Sequence, residues 1–213
     1  MTTQSGKSRE ESVQSVRLYF TYPQPAAYFA WHLLTRRADA FPGLNVRWTP
    51  VLYRRLMALQ GADAGGSPPL ALKYMYADAA RWAGAHGIPF AAPHRREPTD
   101  QTAHKVHLLA QDAGGTWEAR WMEAMHLAVR RDGMDPTDAA AVQALANSVG
   151  VPRLGRLADP GLDERLEANT QQALRDEACD VPFLRVGEES FRGIDGLEWM
   201  SGRLTGLAVP PRL

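Results

Sequence analysis

The stretch TYPQPAAYFAWHL, residues 21–33, decides how the chain is read. Ahead of it, VRLYFTY, 16–22, alternates and is rich in β-branched and aromatic residues, which predicts a strand. Pro25 then suits the first position of a helix, where its missing N–H costs nothing. Apolar residues continue at helical spacing through PAAYFAWHLLTRRADAF, 25–41, and FPG, 41–43, stops them. Gln24 therefore falls at the N-cap of a helix that springs directly from a strand. The unpaired N–H groups and dipole of such an end favour an anion, and a thiol placed there has its pKa lowered.

Outward from that junction the order continues. LNVRWTPVL, 44–52, reads as a second strand broken near Pro50, and YRRLMAL, 53–59, as a short helix. GADAGGSPP, 61–69, reads as a flexible loop. From Leu70 to Arg175 the pattern is helical. ALKYMYADAARWAGAHG ends at Gly87, and DQTAHKVHLLAQDA, WEARWMEAMHLAVRRDG, DPTDAAAVQALANSVG and DERLEANTQQALRDEA follow as further helices. DPTD and DPGLDE read as helix starts, with an acidic residue ahead of a proline; Gly133 and Gly150 read as stops. The end returns to β: VPFLRV, 181–186, is a strand, GEES a turn, FRG the start of a second strand, and IDGLEWMSGRL, 194–204, a closing helix.

The order is thus β-α-β-α, a block of helices, then β-β-α. A β-α-β unit completed later by a β-hairpin and a helix is the thioredoxin plan, so the chain is α/β with an all-helical subdomain inserted in its middle. The expected divisions are a loose tail over 1–14, a thioredoxin-like part over 15–60 and 176–213, and a helical insertion over 61–175. In this plan the proline opening the late strand, Pro182 after Val181, is the one that adopts the cis form. The sequence alone leaves open an ordinary trans proline at a strand start.

Composition narrows the function. The chain has 213 residues and 45% hydrophobic content, enough to bury a core. Its 24 basic and 24 acidic residues cancel. That balance gives no electrostatic reason to expect nucleic acid or an anionic membrane as partner. No apolar run approaches the ~18 residues that span a bilayer. The polar start MTTQSGKSREESVQS lacks the apolar core of a secretory signal, which predicts a cytoplasmic protein. Cys179 is the single cysteine, so neither a disulfide within the chain nor a CxxC pair exists. A thiol meeting the TYPQP loop must therefore come from a ligand.

FTYPQPAAYFA, the segment Trp48 to Pro50, LKYMYADAARWAGAHGIP and DVPFLRVGEESFRGIDGL together resemble 2-hydroxychromene-2-carboxylate isomerase and its relative, the kappa-class glutathione transferase, of the DsbA-like thioredoxin superfamily. The resemblance spans most of residues 16–207. It implies a homodimer, glutathione as cofactor, and a glutathione-dependent isomerase or transferase-like enzyme acting on an aromatic or apolar electrophile. By position it implies that Val181, beside cis-Pro182, pairs with the cysteinyl backbone of glutathione. Lys73 then faces the glycine carboxylate. Gly193 to Asp195 holds the γ-glutamyl amine through the Asp195 carboxylate and a helix N-terminus, and Gln24–Pro25 meets the sulfur.

The chain departs from that pattern at the glutathione site. Thr21, Gln24, Pro25 and Ala26 stand where the family has Asp-x-x-Ser-Pro-Tyr, Phe183 where it has Thr, and Gly196 where it has Arg. The serine hydroxyl of the family bonds the glutathione sulfur. An amide N–H of Gln24 can also donate to a thiolate, and the Tyr22 hydroxyl, in the same loop, is a second candidate donor. Two readings of Gln24 stay open: a glutathione site with altered donors, or a diverted, non-catalytic binding protein.

The remaining candidates have plain readings. Asp78 and Arg81 form an ordinary helix pair of ~0.2–0.5 kcal/mol. His104 and His107, three apart, read with His94 as surface histidines rather than metal ligands, because no acid or thiol lies at a telling spacing. Cys179 is expected to pack, inert, beneath the site. Trp117 and Trp121 are expected in the core of the helical block.

Overall fold

The computed structural model describes residues 14–37, 41, 43–62, 68–92 and 101–204. The tail expected over 1–14, most of the 61–69 loop and His94 lie outside these residues, apart from their edges. The elements are β1 (Gln14–Phe20), α1 (Pro25–Arg36), β2 (Leu44–Pro50), α2 (Tyr53–Leu59), α3 (Pro69–His86), α4 (Thr102–Ala113), α5 (Gly115–Arg130), α6 (Ala139–Val149), α7 (Pro160–Arg175), β3 (Phe183–Val186), β4 (Glu189–Arg192) and α8 (Gly193–Leu204). The sheet order is β2-β1-β3-β4, with β1 and β2 parallel and the other pairs antiparallel. This is the thioredoxin-like arrangement with helices inserted between α2 and β3. No described helix is long and apolar enough to cross a membrane.

The punctuation of the sequence explains most boundaries. Pro25 and Pro160 occupy the first turns of α1 and α7, and the Asp159 side chain caps α7 by accepting from the Gly161 N–H at 3.0 Å. Two starts differ from the sequence reading. DPTD does not open α6 at its first aspartate. Asp135 instead closes a turn onto the Thr137 N–H and hydroxyl, and Asp138 is the cap, accepting from Ala140 and Ala141 N–H at 3.0 Å. The late hairpin turns at Gly187-Glu188, so Glu189 and Ser190 belong to β4 rather than to a four-residue turn. Gly187 takes the positive φ (56°) that such a tight connection demands.

Alternation along β1 divides the molecule. Val16, Leu18 and Phe20 face a large core shared with α1, α8 and the inserted helices, including Trp121, Met122, Met125, Val142 and Leu166. Tyr19 faces a smaller core of Val51, Leu56, Ala173, Ala178, Val181 and Phe183 beneath α2 and α7. The Tyr19 hydroxyl donates to Asp176 Oδ2 at 2.5 Å, which ties the end of α7 to the sheet. The inserted helices therefore have no separate core. Trp121 is fully buried and Trp117 packs on the same cluster, as expected.

Gly196 is explained by this packing. α8 presses on β4 so closely that a Cβ at Gly196 would lie 2.9 Å from the Phe191 backbone. A longer side chain is shut out by sterics. Gly196→Ala should lower the unfolding free energy by about 1–3 kcal/mol, read by urea denaturation; an unchanged midpoint would refute this close approach.

The large core also holds three fully or nearly buried histidines, His104, His107 and His126. Burial, with a smaller contribution from neighbouring His107, holds His104 down at about 3. Burial, then the charge of Arg130, holds His126 well below the ordinary histidine range. Both are neutral in the fold, whereas the unfolded chain binds their protons near 6.5. Stability is therefore complete above that value and is lost as pH falls toward the folded-state pKa. Between about pH 6 and pH 4 His104 should contribute a slope of about 1.4 kcal/mol per pH unit. Denaturant titrations of the native chain and of His104→Gln should differ by that slope; parallel curves would show that His104 protonates freely.

Candidate active site

The carboxyl end of β1, the N-terminus of α1 and the turn ahead of β3 converge. Gln24 caps α1 by position, with φ −78° and ψ 123°, but its side chain makes no capping bond. Its N–H donates to the Thr21 carbonyl at 3.3 Å and its carbonyl accepts from the Ala27 N–H at 3.1 Å. β3 pairs with β1 through Leu18–Leu184 and Tyr19–Phe183. Continued by two residues, that register sets Pro182 beside Phe20 and Val181 beside Thr21. The Val181–Pro182 bond is cis. The Pro182 carbonyl accepts from the Gly193 N–H at 2.8 Å, which brings the start of α8 to the same turn.

Tyr22, Gln24, Pro25, Val181, Pro182 and Gly193 are thus gathered by backbone geometry. The Val181 N–H is already engaged, donating to its neighbour's carboxylate at Asp180 Oδ1, 2.8 Å away. Lys73 is exposed on α3, one turn ahead of Tyr76, and Asp195 is exposed in the first turn of α8. Among the described residues no hydrogen bond or ion pair joins either to the Thr21–Gln24 loop. Asp78 and Arg81 pair with each other, as read from their spacing.

Beneath this surface the loop rests on polar groups. Thr21 Oγ1 lies 2.9 Å from His104 Nε2. The Tyr22 hydroxyl lies 2.9 Å from His107 Nδ1, whose Nε2 faces Glu118 Oε1 at 3.2 Å, off the axis of a good hydrogen bond. The carboxylate favours the ring proton on Nε2, so Nδ1 accepts from the tyrosine. Arg130 completes the set: its Nη2 donates to the Pro23 carbonyl. Its guanidinium is fully buried, 5.9 Å from the Tyr76 ring and 5.8 Å from the Phe90 ring. Nε and Nη1 have no partner. Burial pulls its pKa down, while the Tyr76 and Tyr28 phenols act the other way.

Three sequence expectations change. Tyr22 is not a donor at the loop surface. Its side chain is fully buried, burial raises its pKa well above the ordinary range, and its hydroxyl is committed to His107. His104 and His107 are not surface histidines; they are interior supports of the loop. Cys179 is exposed, since only its neighbour Ala178 turns into the smaller core.

Arg130 was not singled out by sequence. A signal existed: it continues the line Met122, His126 at four-residue steps along the buried face of α5. His104 likewise shares an arc with Leu108, and His107 with Ala103 and Ala110, all buried. Among the described residues no group of three metal-ligating side chains forms a metal site.

Comparison with known proteins agrees with this fold. 2-hydroxychromene-2-carboxylate isomerase from Pseudomonas putida is 24% identical over 198 residues, covering 89% of this chain and 95% of that protein. The enzyme of the same name from Pseudomonas sp. (strain C18) is 23% identical, covering 91% and 92%. Among solved structures, a 2-hydroxychromene-2-carboxylate isomerase superposes with a TM-score of 0.74 at 22% identity, over 90% of this chain and 95% of that one. A probable DsbA oxidoreductase from Streptomyces coelicolor superposes at 0.69 and 17% identity, over 94% and 93%. The model of the DSBA-like thioredoxin domain matches residues 15–205, and the chain belongs to that family.

Proposed function

We propose that this chain is a glutathione-dependent isomerase or transferase-like enzyme acting on an aromatic or otherwise apolar electrophile. The observation that carries the reading is the cis Val181–Pro182 turn set against a helix N-terminus that no side chain caps. The uncapped N–H groups and dipole of α1 suit a thiolate. The likeness to proteins named 2-hydroxychromene-2-carboxylate isomerase supports the isomerase class.

Glutathione fits the residues at this end of the sheet. Val181 and Pro182 would take its cysteinyl backbone once the Asp180 carboxylate releases the Val181 N–H. Gly193 and Asp195 at the start of α8 would hold the γ-glutamyl amine, and Lys73 the glycine carboxylate. Pro25 and Gln24 would face the sulfur. When bound, glutathione supplies a nucleophilic thiol that can add to an electrophile and leave again. Gln24 would orient that sulfur through its amide N–H. A homodimer in the cytoplasm belongs to the same reading.

A second reading has its own support. The Val181 N–H is occupied within the chain and Gln24 stands where the family has serine, which suits a protein that keeps the fold and binds something else.

Calorimetric titration with glutathione, with Gln24→Ser alongside, separates the two. Saturable binding in the micromolar to low millimolar range, tightened by serine, is the expected result. Binding by Gln24→Ser alone would favour the diverted protein, and binding by neither would refute the glutathione site. Serine also caps helices, so the unfolding midpoint of Gln24→Ser serves as control. Insulin reduction should be absent throughout, because the chain has one cysteine.

A further inference from the structure

We propose that Arg130 is the fixed positive charge of this site, and that with the N-terminus of α1 it stabilises an anion carried by the ligand beside Gln24. That the anion is a thiolate rests on the reading above; the charge itself does not.

A guanidinium removed from water carries a large desolvation cost unless an anion or a full set of acceptors meets it. Arg130 has neither. It is fully buried, only Nη2 is hydrogen-bonded, and Nε and Nη1 have no partner. Among the described residues no carboxylate pairs with it. Its surroundings leave the charge standing. His126, one turn earlier on α5, is neutral, Tyr28 of α1 is a neutral phenol, and the Tyr76 phenol of α3 favours the guanidinium's charge. Arg131 beside it is exposed and spent on Asp132. Glu118, toward the start of α5, faces His107 and accepts from Gln111.

An apolar side chain would fill this position at less cost, so folding alone gives no reason for the cation. Its one bond gives a reason. Nη2 holds the Pro23 carbonyl, two residues ahead of the first residue of α1. The guanidinium therefore sits under the loop whose outer side presents Gln24 and the uncapped helix end. Walled by Tyr76 and Phe90, its field is little screened by water or salt. The helix end and the buried cation act in the same direction: each lowers the free energy of a negative charge at the cap.

A reporter thiol reads this without glutathione. In a Cys179→Ala background, Gln24→Cys places the chain's one thiol at the N-cap. The pH dependence of its alkylation rate gives its pKa, expected at least about one unit below the ordinary thiol value of ~8.5. Arg130→Gln keeps a donor for the Pro23 carbonyl but removes the charge, and Arg130→Met removes both. Each should raise the reporter pKa by about one unit, a tenfold loss of thiolate relative to thiol. Arg130→Lys should keep it low.

Two results would overturn the proposal. One is an unchanged reporter pKa in whichever neutral variant retains the native circular dichroism. The other is a rise in Arg130→Lys as large as in the neutral variants, which would assign the effect to loop position rather than charge. Because the reporter needs no cofactor, a chain that ignores glutathione yet shows the Arg130 effect rejects the glutathione reading and keeps the charge.

Discussion

The Thr21–Gln24 loop is held from below by three successive ties to the inserted helices. Thr21 meets His104, Tyr22 meets His107, and the Pro23 carbonyl meets Arg130. Everything above depends on them. They fix where β1 ends, hence where α1 begins, hence where its unpaired N–H groups point. A loop bonded only to its own sheet could shift with the helix it feeds. This one is pinned by α4 and α5 to a core that also carries the sheet. The insertion is therefore part of the scaffold of the site.

These ties are polar groups in an apolar interior, and their physics cuts two ways. A satisfied buried hydrogen bond contributes about 1 kcal/mol, while an orphaned donor or acceptor costs more than that. In Thr21–His104 and Tyr22–His107 one ring nitrogen of each histidine is bonded and the other is not, and burial disfavours the charged form of His104. His126 is different: stacked on Trp31 at 5.2 Å and ringed by Tyr22 and Tyr28, it has both ring nitrogens unpartnered. With Arg130 one turn on, α5 lays two polar side chains with open bonding capacity along one face behind the loop. Open polar capacity in a packed interior gathers at sites that bind, because a ligand can complete what the fold leaves undone.

The frame of the molecule was legible in the sequence and the underside of its site was not, for a physical reason. Pro25, Gly87, Gly150 and the Asp159-Pro160 pair act through local backbone rules, so they mark boundaries whatever surrounds them. The order of strands and helices singled out Val181–Pro182 but left its isomer open between cis and trans; the bond is cis. Where two local signals competed, the nearer one misled: Asp135 lies ahead of a proline, yet Asp138 stands at the distance that lets its carboxylate reach two helix N–H groups. His104, His107 and Arg130 belong to another category. A histidine pair at i, i+3 has one spacing whether it faces solvent or core, and an arginine in the last turn of a helix reads as a partner of the dipole. Their roles are set by which helix they lean against, and that is tertiary information.

Gln24 is the residue on which those two kinds of information meet. The cap of a helix is where serine, threonine, aspartate or asparagine each contribute about 1 kcal/mol, and α1 forgoes that contribution. α6 and α7 of the same chain take it, through Asp138 and Asp159. α2, α3, α4 and α5 forgo it as α1 does, so a bare cap is not by itself particular to this end of this helix. A capping side chain would occupy the N–H groups that an anionic ligand needs, so a bare cap and a ligand site are compatible where a strong cap and a ligand site compete. What sets α1 apart is the conjunction: its bare cap stands beside the Val181–Pro182 turn and over the buried Arg130, so an anion arriving there would meet helix N–H groups and a cation together.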